Sequence, residues 1–171
     1  PIALFRDMMT SPDGSVQAVN VQVLGVDERF WQLAPEFAHT PMGTWSMKKE
    51  FREWSSNVFF VNERLAKRLK AEVGDRLILR MEEPSLFSRD APLSGERDSK
   101  FVTMNEEFGG IVSANGFGNF GLQGNQREPL TVFVSLTALQ KKLFRSLEEI
   151  SGSTSFANFL LIGKGGKGEI D

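Results

Sequence analysis

One glycine motif in this sequence has a spacing that is associated with phosphate binding. Gly116, Gly118 and Gly121 match the pattern G-x-G-x-x-G, in which glycines permit a tight turn and let a pyrophosphate reach a helix N-terminus. The residues that follow, LQGNQREP at 122–129, contain a further glycine and end in proline, so they do not start a stable helix. The kinase version also lacks its valine and its catalytic-loop pattern. We therefore interpret the motif as a glycine-rich surface loop and expect no cofactor.

Residues that could carry out acid–base, nucleophilic or metal chemistry are sparse. The chain has no cysteine and a single histidine, His39, which excludes thiol catalysis, thiolate metal sites and sites built from several histidines. His39 lies in a predicted loop before Pro41, and no G-x-S-x-G motif accompanies it. The acidic pairs are adjacent in sequence, which is typical of solvated carboxylates: Glu82–Glu83, Glu106–Glu107 and Glu148–Glu149. The sequence predicts no catalytic or metal-binding residue and favours a protein that is not an enzyme.

Three phenylalanines stand in polar or glycine-rich surroundings. Phe117 and Phe120 lie in the glycine-rich region 109–124, and Phe87 lies in the polar segment 82–100. These rings either pack back onto the core or remain exposed to dock a partner or an apolar ligand. We take Phe87, Phe117 and Phe120 as candidate partner-binding residues. On the docking hypothesis, replacing Phe117 and Phe120 with serine leaves the domain folded.

Composition restricts the class of protein. The 171 residues, 40% of them hydrophobic, suffice for one core without a disulfide or metal. Because 20 Lys and Arg face 22 Asp and Glu, the whole chain lacks the basic charge typical of nucleic-acid binding. The longest apolar runs, at 58–61 and 159–162, are far shorter than the ~20 residues of a membrane span. The start at Pro1, with no signal peptide, suggests a piece of a longer protein.

The elements of the first half are defined by hydrophobic periodicity. Valines at 19, 21 and 23 alternate with polar residues, which predicts a half-buried strand, and the apolar run 58–61 predicts a buried one. Asn62 is suited to cap a helix with Leu65, Ala66 and Leu69 on one face, and Gly74 is suited to end it. A further strand is expected at 76–81.

The second half combines short strands with one helix. Strands are predicted at 101–104, 110–114, 130–134 and 157–162, and leucines at steps of three and four predict a helix from Ser135 to Ile150. Segment 82–100 is expected to be an exposed insertion. The irregular order indicates an α+β fold with mixed sheet and two main helices. We expect one domain over 1–162, with a division into two small subdomains left open, a loop-rich part at 82–128 and a flexible tail at 163–171.

The order of several segments resembles a known family. VQVLGVDERFW resembles the opening of the extracytoplasmic domains of MacB/LolC/FtsX-type ABC transporter permeases. VFFVNERLAKRLKAEVGDRLIL resembles their most recognisable stretch, in which a strand, an LA-x-x-L helix, a V-G-D turn and a second strand follow one another. FGGIVSANGFGN and LTVFVSLTALQKKL resemble later segments. The resemblance covers roughly residues 16–162, and its most specific block is Val61–Leu79. The long insertion 82–100 and the glycine-rich region 109–124 depart from the family pattern.

This resemblance implies a MacB-like periplasmic fold with long loop insertions, located outside the cytoplasmic membrane between the first two membrane spans of a permease. The implied function is to couple ATP-driven motion of those spans to cargo or partner handling. ATP hydrolysis would then occur in a separate cytoplasmic ATPase. The implied partners are that ATPase, a second permease copy, and a lipoprotein, peptide or periplasmic protein. No catalytic residues, cofactor or nucleic-acid contacts are implied.

Two other classes of function stay open. The aromatic residues would also suit a ligand- or peptide-binding domain of a surface receptor, which would show an apolar pocket closed by region 109–124. A carboxylate-dependent hydrolase would show a cleft with facing carboxylates of shifted pKa.

Overall fold

The computed structural model describes residues 2–32, 58–82, 101–121 and 128–143. These ranges contain six strands: β1 (Ala3–Thr10), β2 (Gln17–Val26), β3 (Val58–Asn62), β4 (Arg76–Glu82), β5 (Phe101–Val112) and β6 (Thr131–Ser135). They also contain three α-helices and a 3-10 turn: α1 (Glu28–Gln32), α2 (Glu63–Leu69), α3 (Leu136–Leu143) and the turn Ala114–Gly116. Of the helices in these ranges, none combines the length and the apolar character needed to cross a membrane.

The six strands close into a barrel in the order β1-β2-β6-β3-β5-β4. Alternation of side chains directs one face of each strand inward, as β4 illustrates: Leu77, Leu79 and Met81 are buried, whereas Arg76 and Arg80 are exposed. The interior is filled by apolar side chains from the strands and from α2 and α3. The predicted α+β class with a mixed sheet is therefore confirmed, and closure of the sheet into a barrel is an addition to it.

The barrel consists of two halves with the same topology. β1 pairs antiparallel with β2, and β4 pairs antiparallel with β5. The third strand of each half then crosses to the other half, because β3 runs parallel to β5 and β6 runs parallel to β2. The two crossed strands meet as antiparallel neighbours at Phe60 and Phe133. Each half continues directly into a helix, α2 or α3. The pairing pattern of β1, β2 and β3 therefore matches that of β4, β5 and β6, as if the halves were related by a two-fold axis through the β3–β6 pair.

The predicted helix at Asn62 is confirmed at its start and corrected at its end. Asn62 is the N-cap, but α2 ends at Leu69, and Lys70 is the C-cap in the left-handed conformation (φ 53°). Gly74 does not end the helix. It lies in the following turn with φ +99°, where a glycine is favoured, and its N–H donates to the Phe108 carbonyl at 2.8 Å.

The glycine-rich region begins within a long strand. The two short strands predicted at 101–104 and 110–114 are wrong in detail, because β5 runs without interruption from Phe101 to Val112. The register between β3 and β5 shifts by one residue at this point, and Gly109 is the extra residue. A Cβ on Gly109 would overlap a methyl group of Val58. A glycine is therefore needed here for close packing within the sheet rather than for a loop.

Other predictions fall outside the described residues. They are the insertion after Glu82 up to residue 100, the helix beyond Leu143, the strand at 157–162, the tail at 163–171, His39 and Phe87.

Candidate interaction surface

The residues with the most distinctive chemistry form a cluster of rings on the outer face of the barrel. Phe60 lies between the inward-facing Phe59 and Val61, and it therefore points outward. We define the aromatic layer as the six rings gathered over this face: Phe30, Trp31, Phe60, Phe117, Phe120 and Phe133.

The first side of the aromatic layer is delivered by α1. Asp27 follows β2, and its Oδ1 accepts hydrogen bonds from the backbone N–H groups of Arg29 (3.0 Å) and Phe30 (3.3 Å), which starts the helix. Arg29 closes an ion pair with Asp27 at 2.6 Å. The helix thereby places Phe30 and Trp31 against the sheet, where both are buried. The Trp31 ring lies 5.0 Å from Phe30 and 5.2 Å from Phe133, measured between centroids.

The second side of the aromatic layer is delivered by the chain after β5, which contains two of the candidate partner-binding residues. The Phe117 ring lies 4.9 Å from Phe30, and the Phe120 ring lies 5.7 Å from Phe30 in an edge-to-face arrangement. The two rings are 5.6 Å from each other, and both are half-buried. The structure thus brings Phe117 and Phe120 together on the core, and partner binding by their remaining exposed faces stays a prediction.

A glycine of the nucleotide-like motif has a structural role at this site. A Cβ on Gly118 would come within 2.6 Å of the Ser113 carbonyl oxygen and would also overlap the Val112 carbonyl oxygen. The N–H groups of Gly116 and Gly118 both donate to that Ser113 oxygen, at 2.9 and 2.7 Å. This part of the motif therefore folds back on the end of β5. Residues 122–127, which follow the motif, lie outside the described residues, and its interpretation as a glycine-rich surface loop stays a prediction.

Asn62 ties the aromatic segment to the barrel. Its Oδ1 accepts from the backbone N–H groups of Leu65 (3.0 Å) and Thr131 (3.1 Å). Its Nδ2 donates to the carbonyl oxygens of Gly118 (3.0 Å) and Pro129 (2.8 Å). One buried side chain therefore joins the start of α2, the start of β6 and the segment that carries Phe117 and Phe120. The sequence indicated only the helix cap.

Gln22 makes a second tie that sequence reasoning missed. The alternation in β2 predicted a solvent-facing Gln22, yet it is only 5% exposed. Its Nε2 donates to the Phe120 carbonyl oxygen at 2.7 Å, and its backbone N–H donates to the Leu130 carbonyl oxygen at 2.7 Å. Buried polar side chains are usually hydrogen-bonded, and the bond to Phe120 satisfies the Gln22 amide in this way. The signal in the sequence, one glutamine between valines, does not distinguish this case from an exposed strand face.

Exposed apolar side chains occur elsewhere on the barrel wall. Phe101 and Ile111 on β5 are each about half exposed, at 50% and 47%. The Phe101 ring is covered on one side by the Arg80 guanidinium at 4.2 Å from its centroid.

Two carboxyl groups have a raised pKa, each mainly because burial disfavours its charged form. Burial is the largest cause of the raised pKa of Asp7. A hydrogen bond from the backbone N–H of Glu82 to the Asp7 carboxylate lowers this pKa, and the negative charge of the Glu82 side chain raises it. The pKa of Glu106 is raised by burial against the opposing attraction of Lys142 and Arg76. Asp7 lies on β1 and Glu106 on β5, with β4 between them.

A third carboxyl, Asp13 in the turn between β1 and β2, has its pKa lowered to about 2. The largest cause is a hydrogen bond from the Ser11 hydroxyl at 2.5 Å, followed by hydrogen bonds from Ser15. Among the described side chains, no three of His, Asp or Glu converge as a metal ion would require.

In the comparisons with known proteins, no family model matches this chain, and no curated protein matches it.

Proposed function

We propose that this chain is the extracytoplasmic domain of an ABC transporter permease of the MacB/LolC/FtsX type. Its role would be to couple ATP-driven motion of membrane spans to the handling of cargo or a partner protein outside the membrane. The finer assignment of the barrel to a MacB-like periplasmic fold is part of this proposal.

The observation that carries the proposal is the geometry of its most specific sequence block. Val61 to Leu79 forms a strand, a capped helix, a turn and a second strand, in the order that the resemblance implies. The residues shared with the family pattern occupy defined positions in this unit. Leu65, Ala66 and Leu69 face the core, and Val73-Gly74-Asp75 makes the turn.

The Val73-Gly74-Asp75 turn is hydrogen-bonded to the neighbouring strand β5. The Gly74 N–H donates to the Phe108 carbonyl oxygen, and the Phe108 N–H donates to the Asp75 carbonyl oxygen at 2.7 Å. The Asp75 carboxylate also accepts from the Glu72 N–H at 2.7 Å. The two bonds with Phe108 attach the turn to β5, which suits the rigid attachment that a coupling module requires.

The packing of the aromatic layer argues against a role in enclosing an apolar ligand. A binding domain for an apolar ligand would need open space between the sheet and region 109–124. In the described part of this region, the rings of Phe30, Phe117 and Phe120 occupy that space and contact each other. A hydrolase would need facing carboxylates of shifted pKa, whereas the two carboxyl groups with a raised pKa in the described part of the chain, Asp7 and Glu106, lie on strands separated by β4.

The proposal is tested first on the complete reading frame that encodes this chain. We expect an apolar span of ~20 residues upstream, three downstream, and a neighbouring gene for a cytoplasmic ATPase. A frame without membrane spans would contradict the proposal.

Location is then tested on the full-length protein with a protease-cleavable tag inserted in the segment 163–171. Protease added to spheroplasts is expected to cut the tag while a cytoplasmic control protein with the same tag stays intact. Protection of the tag until the cells are lysed would place the domain on the other side of the membrane and overturn the assignment.

A further inference from the structure

The outer wall of the barrel carries a row of side chains that crosses four neighbouring strands, β2, β1, β4 and β5. Met8 pairs with Arg80, and Arg80 pairs with Thr103. The register of β1 with β2 shifts at Met8, which leaves Val19 and Asn20 opposite it. We define the outer row as Val19, Met8, Arg80 and Thr103. Each member is adjacent in sequence to a side chain of the buried barrel core, so all four point outward.

The outer row exposes apolar surface around one arginine. Val19 is 66% exposed, and Met8 is half-buried. Phe101 lies two positions before Thr103 on the same face of β5 and is also exposed. The Arg80 guanidinium lies over the Phe101 ring, which supports it from one side. Among the described residues, no carboxylate forms an ion pair with Arg80.

Arg80 is also the one charge at the centre of this described wall. A second outward row lies beside the outer row, and its members are uncharged: Gln17, Thr10, Ile78 and Asn105. Charges of both signs flank the two rows, one pair beyond each: Arg6 with Glu82, and Arg76 with Glu107. The centres of protein interfaces are likewise depleted of charged residues other than arginine, contain methionine and aromatic side chains, and are surrounded by a polar rim.

We propose that the outer row is the contact surface for a partner protein that places one Asp or Glu side chain against Arg80 and apolar side chains against Val19, Met8 and Phe101. A guanidinium stacked on a ring keeps the N–H groups at its edge for a carboxylate, which accepts two of them in one plane. A nucleic acid or an anionic lipid surface would need several cations, and the two rows contain one. This contact does not rest on the proposed function, since the outer row would serve a partner in any parent protein.

Site-specific photocrosslinking in the cells that produce the complete protein tests this contact. The probe is benzoylphenylalanine at position 103, an exposed position that pairs with Arg80. We expect a covalent adduct with a different protein, and mass spectrometry of the adduct is expected to find an Asp or Glu close to the crosslinked position. An adduct with a second copy of this chain, with a lipid or with another segment of the same chain would overturn the proposal, and so would the absence of an adduct.

Charge reversal then identifies the interacting pair. Arg80→Glu is expected to lower the yield of the adduct roughly tenfold or more, as for an arginine at the centre of an interface. Replacing the acidic residue of the partner with arginine is expected to restore the yield. Arg76→Glu is the matched control, because Arg76 is an exposed arginine of the same strand outside the two rows, and it should keep the yield. An equal loss in both variants, or an Arg80→Glu variant that crosslinks as well as the natural chain, would contradict the proposal.

Discussion

At the scale of single residues, a small number of buried polar side chains connect the elements of the described part of the chain. Asn62 is 1% exposed, and each of its two side-chain polar atoms makes two hydrogen bonds. Each bond connects elements that are distant in sequence, apart from the cap on α2. Removal of this side chain would leave the N–H of Thr131 and the carbonyl oxygen of Gly118 buried without their partner, which costs far more than the net value of the bonds themselves.

We therefore predict that Asn62→Ala lowers the free energy of unfolding by about 3 kcal/mol, as the sum of a lost cap and unsatisfied buried groups. Urea denaturation of the variant and the natural chain measures this difference. Asn119→Ala is the matched control, since that exposed amide bonds only the Glu128 carboxylate in the described structure. A loss from the control as large as that from Asn62→Ala would show that burial is not the cause.

Asp13 is expected to make the stability of the fold sensitive to acid. The pKa of Asp13 is lowered to about 2 in the folded chain by its hydrogen bonds from Ser11 and Ser15. A carboxyl whose folded pKa lies below its unfolded value stabilises the fold above the unfolded pKa, and this stabilisation is lost as the pH falls through the folded value. The natural chain should thus lose stability between about pH 4 and pH 2.

Asp13→Asn is expected to make the urea midpoint less sensitive to pH over that window, with the two proteins converging at pH 2. Glu107→Gln, on the exposed face of β5, controls for the removal of one negative charge. An identical pH dependence in Asp13→Asn and the natural chain would exclude Asp13 as a source of acid sensitivity.

At the scale of elements, the packing of the aromatic layer leads us to expect that Phe117 and Phe120 stabilise the fold, instead of being dispensable for folding. Phe117 and Phe120 contact Phe30, and the segment between them is bonded to Asn62 and Gln22. We predict that the double replacement of Phe117 and Phe120 with serine lowers the free energy of unfolding by about 3 kcal/mol, because two half-buried rings leave cavities over the sheet.

Thermal unfolding followed by circular dichroism measures this loss as a lower Tm. Phe101→Ser is the control, because that ring is 50% exposed on the barrel wall and lies outside the aromatic layer. This replacement should lower the free energy of unfolding by less than about 1 kcal/mol. A double variant as stable as the Phe101→Ser control would restore the interpretation of Phe117 and Phe120 as free docking residues.

How far these elements were predictable from the sequence depends on whether their cause is local. The start of α2 is determined by a cap and an apolar face within eight residues, and it was predicted at Asn62. The continuity of β5 was not predicted, because its glycines resemble a loop until Val58 is placed against Gly109. The burial of Gln22 was likewise hidden, since its partner Phe120 lies 98 residues away.

At the scale of the whole molecule, the α+β class was predictable from periodicity, whereas barrel closure was not. Closure depends on pairs such as β1 with β4 and β2 with β6, which no local pattern specifies. The crossing of β3 and β6 between the halves also means that neither half completes its own sheet. Each half takes one strand from the other.

We predict that cutting the chain within the polar insertion gives two fragments that fold only together. Residues 1–90 lack β5 and β6, and residues 91–171 lack the strands that flank both. Circular dichroism of each fragment is expected to show little ordered structure, and equimolar mixing is expected to restore a cooperative unfolding transition. A separate cooperative transition in either fragment alone would contradict the mutual dependence of the two fragments.

Closure of the barrel also restricts how another protein can bind it. Each of the six described strands has a neighbour on both sides, and a sheet without an open edge offers no row of backbone groups for an incoming strand. Recognition by β-augmentation, in which an extended peptide adds itself to a sheet, is therefore disfavoured along the closed wall. A partner that approaches the barrel must be recognised by side chains and connecting segments, and the same closure protects the domain against edge-to-edge aggregation.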